Sequence, residues 1–151
     1  MQAQSKLLNL QRSLYKYLKD NLSSSYYINY SYYRDPNIQN YNQWIDIHWI
    51  NTESGWGPKT IVRLNCCSII KEDQYGVELA KMRDEVINVL NIDEIQMYDF
   101  STDPLNPTII DGVSFYPRYD KDMEMPNEAG DTVAVWSIDF RIYWWRPDIN
   151  P

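Results

Sequence analysis

The sequence predicts an α+β domain: a largely antiparallel β-sheet packed by two helices, in the order α-β-β-β-α-β-β-β. Three observations predict it. Val133–Trp145 (VAVWSIDFRIYWW) alternates strictly between two faces, the period of a half-buried strand. Thr60–Ile70 and Trp44–Ile50 alternate in the same way. Two other stretches, 5–22 and 74–90, place apolar residues three and four apart instead, the spacing of one helical stripe. The 151 residues fit a single domain spanning 1–151, with enough length to bury a core.

Taken in order, Leu7, Leu10, Leu14, Leu18 and Leu22 form the stripe of the first helix, which Ser5 can cap. Ser23-Ser24-Ser25 ends it. Tyr26–Tyr33 has β-propensity with polar alternation, as an edge strand would, and Asp35-Pro36-Asn37 breaks it. Trp44–Ile50 and Thr60–Ile70 then read as adjacent antiparallel strands. The loop between them, Asn51–Lys59, carries Gly55, Gly57, Pro58 and an exposed Trp56. The second helix, Gln74–Leu90, turns Leu79, Met82, Val86, Ile87 and Leu90 to one face. Ile95–Phe100 is a short strand closed by Asp103-Pro104. Ile109–Tyr116 is another, interrupted at Asp111-Gly112. Residues 117–132, with Pro117, Pro126 and Gly130, read as an acidic loop.

In the last strand Ala134, Trp136, Ile138, Phe140, Ile142 and Trp144 make the core face. Its thirteen residues are about twice the usual strand length. It is therefore expected to outrun its sheet and offer its far end to a partner. Tyr143, Trp145 and Arg146 cluster at that end and are of the types that dominate binding hot spots.

Charge is unevenly placed. The net charge is −7, and residues 99–132 hold eight acids against Arg118 and Lys121, a local −6. The first 25 residues carry +3. Such a balance argues against gripping nucleic acid through its phosphates and against anionic lipid. The start lacks an apolar leader core, and no apolar run approaches membrane-spanning length. Cys66 and Cys67 are adjacent in a strand, so their side chains should face opposite ways. A disulfide between them would be strained, which points to reduced thiols and a reducing cytoplasm.

Signals for chemistry are weak. His48 is the single histidine, with Asp46 on the same strand face; a nucleophilic triad or a zinc site would need more around it. The Gly55–Thr60 stretch lacks the spacing of a phosphate loop and precedes a strand rather than a helix. Asp120, Asp122 and Glu124 alternate like the start of a calcium loop, with Asp131 at its twelfth place. Met125 stands where the loop's glycine belongs. No catalytic, cofactor or metal residue is expected.

The helix Leu7–Leu22, the strand hairpin Trp44–Ile70, the helix opening YGVELAKMRDEVINVL and the strand IQMYDFS together resemble the phage tail terminator family. The likeness lies in element order over residues 5–145, and the chain departs from it in its long last strand and its 117–132 loop. The resemblance implies a structural virion protein, assembled in the host cytoplasm. It would form a homohexameric ring at the head-proximal end of a tail, touching the tail tube protein and the neck or connector proteins while genomic DNA passes through the lumen without specific binding. On that reading Trp56, Tyr143, Trp145 and Arg146 are expected at subunit or partner interfaces. Asp120, Asp122, Glu124, Glu128 and Asp131 are expected to face the lumen and repel DNA. Two other readings are another head-tail connector ring, a stopper or adaptor, and a small cytoplasmic enzyme or ligand-binding module with an aromatic pocket.

Overall fold

The structure, a computed structural model, describes residues 6–30, 35–38, 41–53 and 59–144. Ser5, Trp56, Trp145 and Arg146 lie outside the described residues. Helix α1 runs Lys6–Asn21, followed by β1 (Tyr27–Tyr30), β2 (Gln43–Glu53) and β3 (Lys59–Ile69). Two 3-10 turns lead into α2 (Val77–Val89), and β4 (Ile95–Asp99), β5 (Thr108–Glu124) and β6 (Val133–Trp144) complete the chain. The fold is α+β, and the element order is that of the sequence reading.

All six strands form one sheet in the order β1-β2-β3-β6-β5-β4. β1 runs parallel to β2, and every other pair is antiparallel. Rows of apolar side chains cross the strands on the face that the helices cover. Ile47 stands opposite Leu64, and Leu64 opposite Ile138; Val62 stands opposite Phe140. These residues share one core with Leu10, Leu14 and Leu18 of α1 and with Leu79, Met82 and Val86 of α2. Leu7, at the start of the leucine stripe, is 42% exposed. A second, smaller core on the opposite face joins Ile38, Trp44, Cys67 and Ile69. Cys66 and Cys67 thus belong to different cores, as strand alternation requires.

β6 departs from expectation. Over its described residues it does not outrun its sheet. β3 pairs it from Val133 to Tyr143, and β5 pairs it from Trp136 to Trp144. The strand is long because its neighbours are long: β2 and β3 have 11 residues each and β5 has 17.

β5 departs too, because it absorbs much of the expected acidic loop. It continues through Pro117 as far as Glu124, which leaves 125–132 as the connection to β6. Pro117 is tolerated where β5 has passed the end of β4, which pairs only Thr108–Phe115. The Asp111-Gly112 interruption is a bulge instead of a break. Residues 110–113 stand opposite Met97 alone, and Gly112 supplies φ 73°. The Gln96 amide fills the bulge, its Nε2 lying 2.9, 2.9 and 3.1 Å from the carbonyls of Met97, Ile110 and Val113.

Two polar devices fix the helices. Asp73 caps α2 from outside it: Oδ1 accepts the Glu78 N–H at 2.8 Å, and Oδ2 accepts the Leu79 N–H and the Ser68 hydroxyl, each at 2.9 Å. On α1, Asn9 and Ser13 are buried to 1% exposure and bond the backbone of β4 and of the residue that follows it. Asn9 Oδ1 accepts the Phe100 N–H at 2.8 Å, and Ser13 Oγ accepts the Tyr98 N–H at 2.9 Å. The outermost strand is thereby closed by a helix, a common protection of sheet edges.

Candidate functional site

The sheet distributes the predicted lumen acids over both of its faces. Asp122 points to the helix face, where Arg83 of α2 grips it with Nε at 2.9 Å and Nη2 at 3.1 Å. Trp136 Nε1 donates to the same carboxylate at 2.6 Å, and the Tyr119 hydroxyl donates as well. The Arg83 hydrogen bonds, helped by Tyr119 and Trp136, outweigh desolvation and hold the Asp122 carboxyl down at about 2. Asp120 lies at the β5 register shift between Tyr119 and Lys121. It sits 3.7 Å from Arg141 Nε on the opposite face. Asp131 accepts the Glu128 N–H at 2.7 Å within its turn. Glu124 and Glu128 are exposed.

The five acids therefore do not form one loop. Strand alternation and a bulge send Asp120 and Asp122 to opposite faces, and each has a basic partner. Asp99 is committed as well: Ser101, Thr102 and Asn9 donate to it, and its carboxyl is lowered chiefly by the Ser101 hydroxyl. Much of the local −6 is thus structural charge.

Tyr143 is half-buried in the middle of the sheet, opposite Lys59 on one side and Tyr116 on the other. That place in the ladder follows from β6 being central, and it makes Tyr143 no free strand end. Exposed apolar surface lies elsewhere. Among the described residues, six of the thirteen exposed large apolar side chains fall between 105 and 125: Leu105, Ile109, Tyr116, Tyr119, Met123 and Met125. Four of them follow the end of the β4 pairing, on or just after the half of β5 that has a strand on one side only. Sequence reading missed this strip because it assigned half of β5 to a loop.

Beside its small apolar core, the face of the sheet away from the helices carries paired polar groups. Arg63 binds Asp139 through Nε at 2.8 Å and Nη2 at 3.1 Å. Asn29 donates to Asp46 at 3.0 Å, and the Cys67 thiol lies 3.9 Å from the same carboxylate. Ser137 bonds Asn65. His48 stands opposite Arg63, while Asp46 takes its bonds from Asn29 and Cys67, so the pair forms no catalytic dyad. Among the described residues no cluster of three or more His, Cys, Asp or Glu could hold a metal ion, and no helix is long and apolar enough to cross a membrane.

Two surface clefts border α1. One, of ≈ 300 Å³, lies between its C-terminal end, the serine turn and β1; another, of ≈ 230 Å³, lies between α1 and β4. Tyr15, Tyr26, Tyr27, Tyr41 and Lys19 line the first cleft, on the β1 side of the sheet, whereas β5 lies towards the other edge.

No family model matches the chain, and no curated protein matches it. One solved structure, 10% identical in sequence, superposes over 90% of this chain and 96% of its own with a TM-score of 0.49. A likeness of that degree carries no argument about function.

Proposed function

We propose that the chain is a structural virion protein of the tail terminator type, forming a homo-oligomeric ring that joins a phage tail tube to the neck. The observation that carries the reading is the apolar strip on β5. Leu105, Ile109, Tyr116, Tyr119, Met123 and Met125 expose large side chains along one strand and its flanking turns, with Tyr119 on the helix face and Tyr116 and Met123 on the other, and exposed apolar surface of this kind marks interaction sites. A heterologous contact between copies would cover it and close into a ring. The arrangement of two helices over one face of a long-stranded sheet supports the reading through its resemblance to that family's element order. Within such a ring Glu124, Glu128 and Asp131 are the exposed acids of the expected set left to repel passing DNA.

The test is the solution mass of the purified chain, alone and with tail tube protein or portal complex added. A ring that binds the tail tube supports a terminator. A ring that binds the portal complex alone moves the assignment to a stopper or adaptor. A monomer that stays monomeric with either partner removes the reading.

A further inference from the structure

We draw no further inference here: the strongest candidate, the exposed Tyr75 ring in the turn ahead of α2, held at φ 63°, carries none because the Asp73 cap accounts for that turn and nothing in the structure shows what covers the ring.

Discussion

Arg83 of α2 and Asp122 of β5 form a two-pronged ion pair, Nε to Oδ2 at 2.9 Å and Nη2 to Oδ1 at 3.1 Å, across 39 positions of sequence. The Asp122 side chain is 9% exposed and that of Arg83 30%, so water screens the pair only in part. The same carboxylate collects the Trp136 indole N–H and the Tyr119 hydroxyl, and the Arg83 guanidinium lies 5.7 Å from the Trp136 ring. One acid thus ties a helix to two strands.

Breaking this hub should cost more than a surface pair would. Asp122→Ala leaves a guanidinium, an indole N–H and a phenol without their acceptor, and we expect a loss of about 2–3 kcal/mol in denaturant unfolding. Trp136 fluorescence reports the same event locally. A loss below about 0.5 kcal/mol would place the pair among ordinary exposed salt bridges instead.

The hub also sets an acid limit. The Asp122 carboxyl is held at about 2, below its ordinary 3.8, chiefly by Arg83. A lowered folded-state pKa gives stability that is full above the unfolded value and is lost as pH falls through the folded one. Asp122 should therefore contribute about 2 kcal/mol above pH ~4, declining to nothing near pH ~2. Unfolding curves for wild type and Asp122→Asn should converge across that window. Parallel curves down to pH ~2 would show that the acid titrates normally.

The helix cap on β4 makes a separate prediction. Asn9→Ala and Ser13→Ala each strip an acceptor from a strand N–H, at Phe100 and Tyr98 respectively. Leaving such a group unpaired and buried costs about 1–3 kcal/mol. Hydrogen exchange should localise the effect, with faster exchange at Tyr98 in Ser13→Ala and at Phe100 in Asn9→Ala. The double variant should also aggregate more readily, since it uncovers a sheet edge.

Periodicity made the elements legible, and pairing stayed hidden. The stripe Leu10-Leu14-Leu18 and the alternation Ile138-Phe140-Ile142 both turned out buried, because one face of each element must leave water. Asn9 and Ser13 sit on that buried face of α1 and read as ordinary polar helix residues. Their reason is the backbone of Tyr98 and Phe100, about ninety residues away, which periodicity does not report. Pro117 and the acids after it carry the composition of a loop, yet β6 supplies a ladder that overrides local propensity. The position of β6 at the centre was likewise invisible, since strand length says nothing of how long the neighbours are. Tyr75 left no signal at all: a tyrosine before a glycine looks like any turn until its φ is known.

Cys66 and Cys67 should be silent in the folded chain. Both are buried, and burial pushes the Cys66 thiol up to about 12, so almost no thiolate is present at neutral pH. An aromatic disulfide reagent is expected to find no reactive thiol in native protein and two after denaturation. One fast thiol in the native state would mean that the smaller core around Trp44, Cys67 and Ile69 opens.

The C-terminal end of β6 demands two variants with opposite expected outcomes. Trp144 is 4% exposed and stands opposite Phe115, which is fully buried. Truncation before Tyr143 removes that indole together with the last rungs on both sides of the central strand. The lost side chain alone costs about 3–5 kcal/mol, enough to unfold a marginal domain. Such a truncation is therefore a stability variant, and its failure to assemble would say nothing about an interface. Trp145→Ala spares the Trp144 core contact and both ladders. Under the ring reading it should lower the solution mass while the far-ultraviolet circular dichroism and the melting temperature stay at wild-type values. Unchanged mass would remove Trp145 from the subunit contacts and leave the β5 strip to account for them.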